Sequence, residues 1–294
     1  MRSTFQASSE TNSRTLRQLG WTFGPFLLRK RGCVAANLEP RWVSSLEVRP
    51  GVHFRVGRID SDYVVEWSES VRVRISATGD VVEVNTVDGV DARLLGKILD
   101  CSIPAMASHL SGGLAFHASA VVFAARAFVF LGASGQGKST LASALCLRSG
   151  GKLLADDITH CAFESGTWIA RGREGQTWLM PPSRNALLGK DGGVAGKEPL
   201  SLAQESEAPL AALVLLEEAP ETSLSRLTGL RAAEVLLTQL IRLDLEDPAV
   251  HLRDLKHIES LLRAIPIFVL RRPLRFDALS DVLAVVFEMA MRQQ

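Results

Sequence analysis

An α/β fold with a smaller β-rich region ahead of it is what this sequence predicts, and three observations predict it. From Ala115 onward, short apolar runs of strand length alternate with segments of helical periodicity. From Trp42 to Asn85 the pattern has period two: Val71, Val73 and Ile75 alternate with Arg72, Arg74 and Ser76, as in antiparallel strands buried on one face. Between residues 100 and 113 the composition changes from charged and β-rich to apolar and Gly-rich, which places the boundary there. The expected organisation is a basic arm over 1–35, a β-rich accessory region over 36–110 and an α/β domain over 111–294.

The arm carries Arg2, Arg14, Arg17, Arg29, Lys30 and Arg31 against one acid, Glu10, and its polar start predicts loose order. Thr78-Gly79-Asp80 separates the strand at Val71 from the one at Val81 to Val84. Asp91 to Leu99 and Ala105 to Leu110 read as short helices. Ala115 to Phe123 and Phe128 to Leu131 read as two core strands joined by a turn at Ala124 to Ala127. Ser139 to Arg148 reads as a helix, Leu153 to Ala155, Ile158 to Phe163 and Trp168 to Arg171 as strands, and Gly189 to Lys197 as a mobile loop. Leu213 to Leu216 is the next strand, Leu230 to Leu243 and Leu255 to Ala264 are helices, Ile267 to Leu270 is a strand, and Phe276 to Met291 is a closing helix.

The 294 residues and 31.9 kDa exclude a small stapled scaffold, and 33 basic against 32 acidic side chains leave a net charge of +1. No global field therefore recruits nucleic acid or an anionic membrane, and any phosphate must be held locally. Four scattered cysteines, Cys33, Cys101, Cys146 and Cys161, fit neither a disulfide framework nor a metal clip and read as reduced thiols. The N-terminal apolar stretch from Trp21 to Leu28 is interrupted by Gly24 and Pro25 and reads poorly as a secretory segment. The expected location is the cytoplasm.

One arrangement of residues carries chemistry. Leu131 is followed by Gly132-Ala133-Ser134-Gly135-Gln136-Gly137-Lys138-Ser139-Thr140, which fits G-x-x-x-x-G-K-[ST] without departure. Glycines let backbone N–H groups turn inward around a phosphate, and the N-terminus of the following helix adds partial positive charge there. Lys138 can reach β and γ oxygens, and the Ser139 hydroxyl can ligate Mg²⁺. By chance the pattern occurs in roughly one in a hundred chains of this length, and its place between an apolar strand and a helix makes accident rarer still.

Such a loop needs a carboxylate for the metal and, in a kinase, a group to accept the proton of the attacking hydroxyl. Asp156 and Asp157, at the end of the Leu153 to Ala155 strand, can supply both, their side chains being expected to point in opposing directions. His117 lies in the apolar strand before the loop strand; it is either a core histidine or a neighbour of the phosphate site. Leu110-Ser111-Gly112-Gly113-Leu114 resembles the LSGGQ signature of transporter ATPases, but precedes the glycine loop instead of following it and reads as a turn. No Asn-Lys-x-Asp, HRD or DFG pattern is present.

The block from His117-Ala118-Ser119-Ala120-Val121 through the glycine loop to Gly150-Gly151-Lys152-Leu153-Leu154-Ala155-Asp156-Asp157 resembles the catalytic domain of the HPr kinase/phosphorylase family. More closely, it resembles the shorter HPr-kinase-related proteins that include kinases of lasso-peptide precursors. The resemblance covers about residues 110 to 290 and implies a P-loop kinase fold related to phosphoenolpyruvate carboxykinase. It further implies that Gly132 to Thr140 bind the phosphates of ATP, that Ser139 and Asp156 help hold Mg²⁺, that Asp157 or its neighbour acts as base toward a serine hydroxyl, and that His117 matches an active-site histidine. The Glu-Ile-Arg-Gly signature of the bifunctional enzymes has no counterpart, Ala170-Arg171-Gly172 being the nearest fragment, and Arg271-Arg272-Pro273 lies where those enzymes carry an arginine-bearing loop. The expected partner is therefore a peptide or protein other than HPr that offers a serine, with homo-oligomerisation left open. Two other readings remain at this stage: a nucleotide-sensing module without phosphotransfer, and a kinase of a small acidic hydroxyl compound held by Arg171, Arg173 and Arg184.

Overall fold

The computed structural model describes residues 27–29, 39–49, 52–68, 70–87, 89–172, 176–189, 196–242 and 247–293. Apart from Leu27–Arg29, the basic arm lies outside them, as do Arg173 and residues 190–195 of the glycine-rich loop. The chain forms two compact units. One comprises Met1–Ser111 with Arg242–Asp247, and the other Gly112–Ile241 with Pro248–Gln294.

In the first unit the period-two pattern becomes a sheet. β1 (Leu27–Arg29), β2 (Arg41–Arg49), β3 (Val52–Ile59), β4 (Asp62–Trp67), β5 (Val71–Ile75) and β6 (Val81–Thr86) are ordered β1-β6-β5-β4-β3-β2, antiparallel except for β1 on β6. Val56, Val65, Val73 and Ile75 face a helical stretch: α1 (Ala92–Lys97), a π-helical turn (Ile98–Ser102) and α2 (Ile103–Leu110). The two predicted helices are thus one continuous stretch, in which Leu95, Ile98, Leu99, Ile103, Met106 and Leu110 complete the core. On the opposite face, buried Glu66 is held by Arg55 and by Arg72, which lie level with it on β3 and β5. Gly79, at φ +74°, sits where a Cβ would stand 2.2 Å from the Ala107 carbonyl oxygen, so only glycine makes that turn.

The second unit is built on a curled mixed sheet. Its strands are β7 (Leu114–Phe116), β8 (Ser119–Phe123), β9 (Arg126–Leu131), β10 (Lys152–Ala155), β11 (Thr159–Glu164), β12 (Thr167–Arg171), β15 (Glu207–Glu218), β16 (Ser223–Leu227) and β17 (Ile267–Arg272), with β13 (Gln176–Leu179) and β14 (Glu198–Ser201) as a separate ribbon. The path runs β10-β8-β9-β15-β12-β11-β7, with β17 on the far side of β15 and β16 beyond it. β15 serves two neighbourhoods: residues 207–209 pair with β12, and from Leu210 on, across a bulge between Leu210 and Ala212, the strand pairs in parallel with β9 and then also with β17.

Both faces of the central strands are covered, which is why they read as continuous apolar runs. Phe128 and Phe130 pack with Leu141 and Leu145 of α3 (Lys138–Ser149) and with Val282 and Val286 of α7 (Leu279–Arg292). Val129 and Leu131 pack with Leu236 of α5 (Gly229–Gln239) and with Ile258 and Leu261 of α6 (Pro248–Ala264).

The expected strand Ala115 to Phe123 is two strands. At the break the His117 N–H goes to Gln239 O (3.0 Å) and the Ala118 N–H to Asp157 O (3.1 Å), so β7 can pair with β11 while β8 pairs with β9 and β10. The sequence reading also leaves out β13, β14, β16 and α4 (Pro181–Leu188). Pro181-Pro182 looks like a breaker but occupies the first turn of α4, where the missing N–H groups have no intrahelical partner to lose.

Candidate functional site

β9, β15 and β17 run in one direction, and their carboxyl ends, together with the end of β10 and the start of β8, gather at one edge of the sheet. Ligands of α/β sheets sit at such an edge.

The glycine loop starts there, directly after β9. Gly132, Gly135 and Gly137 have φ of +146°, +85° and +71°, the left-handed half of the map that a side chain disfavours. Ala133, Ser134 and Gly135 are exposed at the tip, and the Gln136 N–H closes the turn on Ala133 O at 3.2 Å. α3 begins at Lys138, its first hydrogen bond running from the Leu141 N–H to Gly137 O at 2.9 Å. In the first turn of α3, Ser139 and Thr140 are half-buried. The Thr140 hydroxyl donates to Ser183 Oγ of α4 at 2.9 Å.

Lys138 folds back under its own loop. It is only 7% exposed, and Nζ donates to Gly132 O at 2.7 Å and to Ala133 O at 3.2 Å. Burial pulls its pKa below the ordinary 10.5, helped by the positive charge of Lys197, while the nearby charges of Asp157 and then Asp156 act the other way. The lysine, the aspartate pair and the end of the glycine-rich loop therefore share one electrostatic neighbourhood.

The two aspartates play different structural parts, though not by strand alternation. They lie just past β10, and Asp157 adopts φ +74°, so the pair forms a turn. Asp156 is 2% exposed and accepts three hydrogen bonds: from Ser119 Oγ to Oδ1 (2.8 Å), and from Thr177 Oγ1 (2.7 Å) and the Trp178 N–H (3.2 Å) to Oδ2. Asp157 is half-buried, and its carbonyl takes the Ala118 N–H, next to His117. His117 is itself half-buried, at the break between β7 and β8.

Gln239, Thr177, Ser119 and Arg272, to which sequence reading assigns no site role, complete the cluster. Gln239, the last residue of α5, accepts the His117 N–H with its carbonyl and the Gly132 N–H with Oε1 (3.3 Å), joining the histidine to the first glycine of the loop. Ser119 and Thr177 orient Asp156. Arg272, at the end of β17, donates from Nη2 to Gln136 O at 2.6 Å. Gly172 is forced to be glycine by packing, since a Cβ there would lie 1.9 Å from Leu154 O, beside the strand that carries the aspartates. Of the three arginines considered for an acidic compound, Arg171 is paired with Glu164 and Glu207 and Arg184 with Glu198.

Among the described residues no three His, Cys, Asp or Glu side chains form a metal-binding group. Mg²⁺ carried by a nucleotide needs only one or two protein oxygens, the rest being phosphate and water. Ser139 and Asp156 offer hard oxygens of that kind. The residues fit Mg²⁺ on those terms. No helix among the described residues is long and apolar enough to cross a membrane.

No protein-family model matches the chain, and no curated protein matches it in sequence. Among solved structures, the chain is similar to the Hpr(Ser) kinase/phosphatase from Coxiella burnetii, with a TM-score of 0.36 and 14% identity over 60% of this chain and 97% of that one.

Proposed function

We propose that the protein is an ATP- and Mg²⁺-dependent kinase that transfers the γ-phosphate to a serine hydroxyl of a peptide or protein, a ribosomally made precursor peptide of the lasso type being the favoured acceptor. The observation that carries the reading is the juxtaposition of the Gly132–Thr140 turn and buried Lys138 with the Asp156-Asp157 turn at one sheet edge.

In this reading backbone N–H groups of the loop and the N-terminus of α3 cradle the phosphates. Lys138 leaves the carbonyls of Gly132 and Ala133 for the β and γ oxygens, exchanging dipoles for full charges. Ser139 and Asp156 would hold Mg²⁺, which when bound would supply charge neutralisation to the phosphates. Asp156, fixed by Ser119, Thr177 and Trp178, is an anchored carboxylate, which leaves half-buried Asp157 to accept the proton of the acceptor hydroxyl. His117 is next in sequence to Ala118, whose N–H bonds the Asp157 carbonyl, and is the histidine of the site in this reading. Catalysis is then mostly positioning and charge neutralisation.

The test is incubation of the protein with labelled ATP, Mg²⁺ and serine-containing peptides, beside Lys138→Ala and Asp157→Asn. Label transfer by the wild type, lost in both variants, is expected. Equal transfer by all three proteins overturns the reading, and ATP binding that alters partner affinity without ADP formation favours a sensing module instead.

A further inference from the structure

Arg272 is a buried cation whose charge the described residues do not answer. Its side chain belongs to a residue only 7% exposed at the carboxyl end of β17. Nη2 reaches Gln136 O at 2.6 Å, Nη1 reaches only its neighbour Pro273 O at 3.5 Å, and Nε has no partner among the described residues. Arg271, one residue earlier, pairs with Glu217 at 3.2 Å, whereas no carboxylate pairs with Arg272 among those residues. A guanidinium does not shed its proton, and a buried charge is costly unless an opposite charge meets it. Carbonyl dipoles answer part of that cost. Burial accordingly pulls the Arg272 pKa below the ordinary guanidinium range.

The place of this cation tells what the missing charge is. A Cβ on Gly137 would lie 2.7 Å from Arg272 Nη2, so the third glycine of the loop serves the arginine as well as the turn. The guanidinium thus underlies the point where inward-turned N–H groups and the N-terminus of α3 already favour an anion.

We infer that the counter-charge of Arg272 is the polyphosphate held by the Gly132–Thr140 loop, and that Arg272 is a positioning cation, acting through Gln136 and Gly137, that tunes this loop to polyanionic ligands. The inference rests on the nucleotide-binding reading above. It assigns to the end of β17 a share of the phosphate affinity otherwise credited to the loop and Lys138 alone.

The experiment uses the full chain with two probes, Mg-ADP and inorganic tripolyphosphate, measured by calorimetry and by thermal melting. Arg272→Met removes the charge, Arg272→Gln removes it while keeping an amide donor, and Arg272→Lys keeps it. The Met and Gln variants are expected to bind both probes at least tenfold more weakly, with ligand-free melting temperatures unchanged or higher, and the Lys variant to retain most of the affinity. Wild-type binding matched by Arg272→Gln overturns this inference alone. A fall in ligand-free melting temperature in both neutral variants assigns Arg272 to packing and overturns it too. Failure of the wild type to bind Mg-ADP overturns the nucleotide reading itself, and this inference with it.

Discussion

Thr177 Oγ1 lies 2.7 Å from Asp156 Oδ2, so a strand of the short β13–β14 ribbon holds the first aspartate from across the turn. With Ser119 and the Trp178 N–H it forms a cage of three neutral donors around a buried carboxylate. Asp156→Ala leaves these donors without an acceptor, and each costs about 1–3 kcal/mol. Urea denaturation is expected to show a loss of about 3 kcal/mol or more for Asp156→Ala and about 1 kcal/mol for Thr177→Val.

Asp157 should separate from its neighbour in the same measurements. It is half-buried and left-handed, a conformation Asn tolerates, so Asp157→Asn is expected to keep stability within about 0.5 kcal/mol. Phosphoryl transfer should fall by about 10²- to 10⁴-fold, the usual contribution of a general base. Comparing denaturation midpoints with single-turnover rates checks both halves.

Gly137 and Arg272 should couple. Gly137→Ala places a Cβ in a left-handed residue, at about 1–2 kcal/mol, and drives it against the guanidinium. In Arg272→Met the second part disappears, so the double variant is expected to be more stable than the two single changes sum to, by about 0.5 kcal/mol or more. A double-mutant cycle in urea reads this directly.

Lys138 sets a pH dependence of definite sign. Its folded pKa lies below 10.5, so its burial cost is fully present below that lowered value. Between the lowered value and 10.5 the unfolded chain binds more protons than the folded one, and ligand-free stability contributed by this group rises with pH. Phosphate affinity moves oppositely, because the loop loses its lysine charge. Calorimetry with Mg-ADP from about pH 8 to about pH 10.5 should show affinity falling in the wild type and much less in Lys138→Arg, whose charge persists.

The β8–β9 hairpin turns through Ala124 and Ala125 at φ of +45° and +61°, positions that hairpins usually give to Asn and Gly. Ala125→Gly is expected to raise stability by about 0.5 kcal/mol, the relief of a left-handed Cβ exceeding the added chain entropy. Thermal melting of the variant measures it.

Local chemistry was legible in the sequence; partners across the sheet were not. Alternating valines and arginines specify β5, and an unbroken apolar run specifies β9, since each pattern records the burial of its own side chains. The glycine loop, Lys138 and the Asp pair are contiguous motifs. Ser119, Gln239 and Arg272 are not: they meet Asp156, Gly132 and Gln136 across 37, 107 and 136 residues, distances over which no periodicity operates. β13 escaped notice because Gln-Thr-Trp-Leu is short and its buried threonine serves a carboxylate instead of an apolar core. The strand that sequence alone would have run straight through is interrupted at His117, because the N–H groups of His117 and Ala118 leave the ladder for the carbonyls of Gln239 and Asp157.

The parallel placement of β15 and β17 beside β9 has a consequence for synthesis on the ribosome. The glycine loop is made early, but both strands that follow β9 in the sheet, and the guanidinium beneath Gly137, emerge far later. A nascent chain halted before β17 therefore carries every residue of the motif without the framework that bends it. If the loop holds phosphate as proposed, competence to bind it should arrive late and abruptly.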